Sequence, residues 1–271
     1  MMLKSLPWMG VGQRWDGPQD TPRFERYAGL LDFVEPALPG DLSALPDLPT
    51  IAHSSELPLA SRQCLNPQML HCLSSQVRSL EPPWAGEHIC LNSSIETGEL
   101  GYNFAPLLDA ETVSIAIQNA KSVQALYRCP LALEAGPRYF RWAGRWDDHA
   151  LIAEVAEATG SGIVLDLSHH LCTTRNLSLP ATAGLSPRVL ERTVEVHITG
   201  MGKHRGEKLY HDSHDQPVSA ELWNLLDWVL SRVPDLRALT LEHSAKVDDG
   251  AYARDLELLC FRARAYRQGR D

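Results

Sequence analysis

No stretch of this 271-residue chain approaches the roughly 20 apolar residues needed to cross a bilayer. Basic residues are in short supply too: 25 Lys and Arg stand against 34 Asp and Glu, a formal charge of −9. That balance argues against the basic stripe on which nucleic-acid binding depends. The six cysteines (Cys64, Cys72, Cys90, Cys129, Cys172, Cys260) form no C-x-x-C pair. The first residues, MMLKSLPWMGVGQRWDG, contain no apolar signal-peptide core. Both features point to a cytoplasmic protein with reduced thiols and no membrane association. Also missing are a G-x-S-x-G elbow, a P-loop and an H-E-x-x-H helix, so serine or cysteine nucleophile chemistry has little support. GVGQRWDG is a poor phosphate turn, which weakens a doubly wound dinucleotide fold. Without linkers, low-complexity tracts or repeats, residues 1–271 are expected to form one domain.

What the chain does have is a rhythm of short apolar runs alternating with amphipathic segments. Expected strands lie at Pro7–Gly12, Asp32–Glu35, Leu48–His53, Glu87–Leu91, Cys129–Glu134, Gly162–Leu167, Val194–Ile198 and Ala238–Glu242. Between them, helices are expected from Pro22, Asn66-Pro67, Asp109, Asp147 and Ser219, with a last one from about Asp248 to Arg267. Eight strand–helix units in a chain of this length predict an α/β fold, a (β/α)8 TIM barrel.

In such a barrel the strand C-termini converge on the functional mouth. Six consecutive strands, the third to the eighth, place ionisable residues there: His53; His88; Glu134; Asp166 followed by His169-His170; His197, with Asp212 and His214 on its loop; and Glu242. A lone strand-end histidine is more often a hydrogen-bonded core residue than a ligand. Gathered at one mouth, however, these groups require compensation, because burying even one unpaired charge costs several kcal/mol. Cations supply it. Imidazole with carboxylate suits Zn, Fe or Mn better than Ca or Mg, and about nine donors imply two or three ions. Glu35 ranks lower, as a residue that could orient a ligand histidine or serve structure alone. His71 and His149 fall in helical patterns and read as surface residues, as do His204 and His211 taken singly. His170 and His243 are expected to turn away from the mouth.

With those residues laid out, the chain resembles the multinuclear non-haem iron-dependent oxidases, long catalogued as domain of unknown function 692. The resemblance is most specific at His197-Ile198-Thr199-Gly200, at Tyr210-His211-Asp212-Ser213-His214-Asp215-Gln216-Pro217-Val218, and at Trp223. Glu87-His88-Ile89-Cys90 and His53-Ser54-Ser55-Glu56-Leu57-Pro58 resemble the family's fourth- and third-strand motifs. The resemblance implies that His53, His88 and Glu134 hold one iron, and that Glu134 bridges to a second held by Asp166, His197 and Glu242. His169, Asp212 and His214 would hold a third. Departures stand at Ser168-His169-His170, where many members have L-D-x-N-N, and at Ala135 and His243-Ser244. They leave His169 and His170 both open for the third site and suggest a divergent subgroup.

The resemblance further implies Fe(II)/Fe(III), two or three ions, with O2 as cosubstrate and all electrons drawn from the substrate. That substrate would be a residue, often cysteine, of a ribosomally synthesised precursor peptide in natural-product maturation. Catalysis would centre on Glu134, Asp166 and His197, and a small leader-peptide-recognising partner protein is common in the family. Two rivals remain: a trinuclear zinc hydrolase of endonuclease IV type or a sugar isomerase or epimerase on the same barrel, and a non-catalytic metal-binding accessory protein.

Overall fold

A computed structural model describes residues 5–62, 66–94, 98–141, 147–203 and 206–269. Eight parallel strands close into a barrel: β1 (Gly10–Trp15), β2 (Phe33–Leu38), β3 (Ala52–Ser54), β4 (Ala85–His88), β7 (Leu131–Glu134), β8 (Gly162–Asp166), β9 (Thr193–Ile198) and β10 (Ala238–Leu241). Between β4 and β7 a two-stranded antiparallel hairpin, β5 (Leu91–Ser94) and β6 (Gly98–Phe104), leaves the barrel. The helices are α1 (Thr21–Tyr27), α2 (Pro67–Leu80), α3 (Ala110–Tyr127), α4 (Asp148–Thr159), α5 (Leu167–Asn176), α6 (Pro187–Leu190), α7 (Ala220–Leu230) and α8 (Asp249–Gln268). The (β/α)8 expectation therefore holds.

Helix starts follow local chemistry. Asn66, Asp109, Asp147, Asp166, Ser219 and Asp248 each cap the helix that follows, accepting from backbone N–H groups that would otherwise lack partners. Asp166 accepts from His169 N at 2.6 Å, so the turn leading out of β8 also fixes where His169 emerges.

Several boundaries differ from expectation. The first strand runs Gly10–Trp15 rather than Pro7–Gly12, because its polar residues find remote partners. Gln13 is buried against the Tyr252 hydroxyl of α8, and Arg14 reaches Glu242. The fourth strand runs Ala85–His88 rather than Glu87–Leu91, and Leu91 opens β5 instead. The sixth ends at Asp166, and Leu167 is already helical. The hairpin was not foreseen. Cys64 and His204 lie outside the described residues; the other five cysteines are free. Among the described residues no helix is long and apolar enough to cross a membrane.

The barrel interior changes character along its axis. Its lower part is filled by Phe33, Ile51, Trp84, Ala132, Val164 and Ala238, closed from below by Leu6. Two positions on from the floor, β2, β3, β7 and β8 present Glu35, His53, Glu134 and Asp166 at a polar level, which His88 from β4 and His197 from β9 join. The register aligns them, pairing His88 with Glu134 and Asp166 with His197. A dry floor under a ring of ionisable groups is what positions the site.

Candidate metal centre

Glu134, at the end of β7, sits at the hub. Its Oε2 lies 3.2 Å from His53 Nε2, 3.3 Å from His88 Nε2 and 3.8 Å from His197 Nδ1, and its Oε1 lies 2.9 Å from His169 Nδ1. His53 Nε2 and His88 Nε2 are 3.1 Å apart. These three donors form a triangle with edges of 3.1–3.3 Å. For a metal bound at about 2.1 Å, neighbouring donors are about 3.0 Å apart in an octahedron and about 3.4 Å apart in a tetrahedron. The triangle fits an ion.

A second set lies on the loop after β9. Asp212 Oδ2 is 2.9 Å from both His169 Nε2 and His214 Nε2. Glu134, Asp166 and His197 form a further three-donor group, and Glu242 Oε1 stands 3.3 Å from His197 Nδ1. All nine sequence-derived candidates are therefore brought together: His53, His88, Glu134, Asp166, His169, His197, Asp212, His214 and Glu242. His169, not His170, faces Asp212 and His214.

Each of four imidazoles has one nitrogen anchored, leaving the other for the interior. His169 Nδ1 faces the Ala135 carbonyl at 3.0 Å, and His214 Nδ1 the Glu242 carbonyl at 2.8 Å. His53 Nδ1 is 3.4 Å from Glu35 Oε1, and His197 Nε2 is 3.3 Å from the same oxygen. Anchoring of this kind sets the tautomer and is the usual support behind metal-binding histidines. Sequence reasoning left Glu35 undecided and missed Glu195. Glu195 Oε1 stands 3.4 Å from His197 Nε2 while accepting from Thr240, and its Oε2 accepts from Trp84 Nε1 at 2.8 Å. The signal was present, since period-two alternation puts Glu195 and His197 on one face of β9.

Electrostatics and unmet valences point the same way. Burial would raise Glu134, but His88, His169 and His53 hold it well below the usual carboxylate range. Burial, reinforced by Glu242, Glu134 and Asp212, lifts Asp166 to about 7 despite His169. His214 would be lowered by burial, yet Asp212 raises it to about 9. His53, His169 and His197 rise likewise against their burial, through Glu35, Asp166 and Glu242 among others. Protons on imidazole thus offset the carboxylates when no cation does. Even so, Glu134 Oε2, Asp166 Oδ2, Asp212 Oδ1 and His197 Nδ1 make no hydrogen bond among the described residues. Buried polar atoms without partners are few in folded proteins, and cations among these donors would satisfy them.

Two glycines make room for this assembly. A Cβ on Gly86 would stand 2.3 Å from His53 Nδ1, so only glycine leaves the imidazole its place beside Glu35. Gly86→Ala is expected to displace His53 and cut metal content by at least half in a protein that still melts cooperatively; elemental analysis with thermal denaturation checks this. A Cβ on Gly200 would lie 1.9 Å from the Gln216 carbonyl oxygen. The H-x-x-G glycine therefore lets the loop carrying Asp212 and His214 dock on β9. The loop is tied by paired backbone bonds between Gly202 and His211 and by Ser244 N to His214 O at 2.9 Å. His214 itself has φ 53°, an uncommon backbone region for a non-glycine residue.

Other histidines fall outside the centre. His243 bonds Asp255 at 2.9 Å and Thr199 at 3.1 Å, bracing α8 against the loop. His71 is exposed, and His211 pairs with Glu207 at the surface. His149 corrects its surface reading: it is buried, with Nε2 2.8 Å from His170 Nδ1. A helical pattern alone did not reveal this, because its partner comes from α5.

Burial lowers His149 to about 4 and His170, also beside His149, to about 3. Against an unfolded value near 6.5, the folded pair binds fewer protons in between. Its contribution to stability is therefore full above pH 6.5 and lost as pH falls below it. Between pH 7 and pH 5 the wild type should lose about 4 kcal/mol more stability than a His149→Gln/His170→Gln variant, about 2 kcal/mol for each histidine, measured by urea unfolding.

A family model described as RiPP precursor modification enzyme MbnB/TglH/ChrH matches residues 40–254. A UPF0276 protein of Caulobacter vibrioides is 24% identical over 196 residues, covering 70% of this chain and 68% of the relative. A UPF0276 protein of Rhizobium meliloti is 25% identical over 230 residues, 83% of this chain and 73% of the relative. Among solved structures, a xylose isomerase domain-containing protein of Salmonella typhimurium superposes with TM-score 0.59 at 12% identity, covering 96% of each chain. A D-psicose 3-epimerase superposes with TM-score 0.57 at 14% identity, covering 96% of this chain and 97% of its own. At these identities the structural likeness speaks for the fold alone.

Proposed function

From the premise that this chain belongs to the MbnB/TglH/ChrH family of RiPP precursor modification enzymes, we propose that it is an iron-dependent, O2-using oxidase of a precursor peptide, with cysteine as the modified residue. The observation that carries this reading is the pair of three-donor sets, His53–His88–Glu134 and His169–Asp212–His214, linked through Glu134 and His169. The donors are imidazole and carboxylate with no thiolate, which suits iron and leaves open positions for substrate.

In this reading His53, His88 and Glu134 hold one iron, Glu134, Asp166, His197 and Glu242 a second, and His169, Asp212 and His214 a third. Iron there would supply one-electron chemistry with O2, with the substrate as the source of all electrons. The chain's own residues do the rest. Glu35 and Glu195 hold the His53 and His197 rings in one tautomer, so the donor atoms need no reorganisation when the substrate arrives. Arg14, 3.4 Å from Glu242, offsets part of the carboxylate charge at the rim. The apolar floor excludes water from below, and the close approach of Gly200 to Gln216 seats Asp212 and His214 beside β9.

The experiment is direct. The protein is isolated with iron and incubated with a cysteine-containing precursor peptide, with and without O2. An iron-to-chain ratio of two or more and an O2-dependent change in peptide mass are expected. Zinc in place of iron, with phosphodiester hydrolysis or sugar epimerisation and no peptide product, would overturn the proposal.

A further inference from the structure

Beside the metal-facing groups lies a cavity of about 480 Å³, with Asp166 and His169 in its wall and Leu108, Val164 and Leu177 among its apolar lining. That volume is in the range of small-molecule sites. Two lining residues, Arg138 and His149, have no place in the donor sets.

Arg138 is only 2% exposed. Its Nε and Nη2 donate to Asp148 at 2.9 and 2.6 Å, and Nη2 also donates to the Pro106 carbonyl at 2.8 Å. The remaining nitrogen, Nη1, has no partner among the described residues. His149 is fixed by a chain of hydrogen bonds. The Ala181 carbonyl can only accept, so His170, 2.6 Å away, donates to it from Nε2. His170 Nδ1 must then accept, and His149 donates to it from Nε2 at 2.8 Å. In the neutral ring this leaves His149 Nδ1 a bare acceptor, and it too has no partner.

Apart from Asp166 Oδ2, which belongs to the metal-facing set, the cavity-lining residues thus bring one unanswered buried donor and one unanswered buried acceptor. Both are held rigidly, and the walls around them are largely apolar. Unpaired buried groups of this kind mark an absent partner. A carboxylate is a poor one: Asp148 already neutralises Arg138, and a second acceptor would face the His149 lone pair. An alkylammonium would meet the guanidinium. An amide carries both complements, an acceptor oxygen for the guanidinium and an N–H for the imidazole.

We propose that this cavity binds an amide of the peptide substrate, with Arg138 Nη1 donating to its carbonyl oxygen and its N–H donating to His149 Nδ1. The inference rests on the peptide-oxidase reading and deepens it by naming the two side chains that seat the substrate beside Asp166 and His169. The amide comes either from the peptide main chain or from an asparagine or glutamine side chain.

Calorimetric titration of the iron-loaded protein tests it with three neutral probes. N-acetyl-L-leucine N-methylamide represents the main chain, isovaleramide a side-chain carboxamide, and methyl isovalerate an ester with no N–H. At least one amide should bind about tenfold more tightly than the ester, and the tighter of the two identifies the source. Arg138→Lys and His149→Phe should each abolish the preference without lowering iron content. His149→Phe keeps the test decisive if Arg138→Lys fails to fold. Equal binding of amides and ester, or a preference that survives both variants, overturns the proposal. Loss of iron or of O2-dependent peptide modification with the amide preference intact would instead sink the oxidase reading and leave this site standing.

Discussion

Glu134→Gln is expected to reduce iron to less than one per chain and to lower peptide oxidation by at least about a hundredfold. The substitution preserves shape and removes one charge, so the effect isolates electrostatics. Among the described residues, Glu134 is the one carboxylate within 4 Å of four imidazoles: His53, His88, His169 and His197. Removing one partner of a buried ion pair costs about 3–5 kcal/mol, roughly 10²–10⁴ in an equilibrium constant. The neutral amide would be a far weaker ligand for a cation, and it directs an N–H at imidazole nitrogens that would face the metal. Elemental analysis and peptide mass spectrometry read both effects. Full iron with lost activity would assign Glu134 to the chemistry alone, and retention of both would remove it from the centre.

The second large effect is on stability. Metal removal by a chelator should lower the melting temperature by about 10 °C at pH 7.5. A ligand present at about a thousand times its dissociation constant contributes about 4 kcal/mol, and each kcal/mol moves the midpoint of a domain this size by about 2–4 °C. The metal-free protein does not collapse, because His53, His169, His197 and His214 take up protons that offset the carboxylates. Those protons compete with metal. His214, raised to about 9, stays protonated at neutral pH without a cation, so metal binding must release protons and weaken as pH falls. Calorimetry in buffers of different ionisation enthalpy should show release of more than one proton per chain, together with the loss of thermal stability on chelation.

Much of this architecture was legible in the sequence because it is local. Caps at Asn66, Asp109, Asp147 and Asp248 announced their helices. GIVLDL read as a buried parallel strand and VEVHI as a β-branched one, each within a residue of the observed bounds, and the D-x-H loop after the seventh strand announced two donors. Features that depend on a distant partner were not legible. Gln13 and Arg14 look like loop residues until Tyr252 and Glu242 meet them from the far end of the chain. Gly86 looks like a strand breaker until His53 fills the space above it. His149 passed for a surface residue because the His170 ring that buries it lies 21 positions away. On β6 the apolar side chains Leu100, Tyr102 and Phe104 are exposed, Tyr102 to 54%, so no core-directed period marked that strand.

One crystal of protein produced with iron, with diffraction recorded on both sides of the iron absorption edge, tests the account most directly. Anomalous peaks are expected within the His53–His88–Glu134 triangle and between His169, Asp212 and His214, each within coordination distance of those donors. Iron-supplemented crystals with no anomalous density at either position, and with these side chains hydrogen-bonded to one another or to water instead, would contradict it.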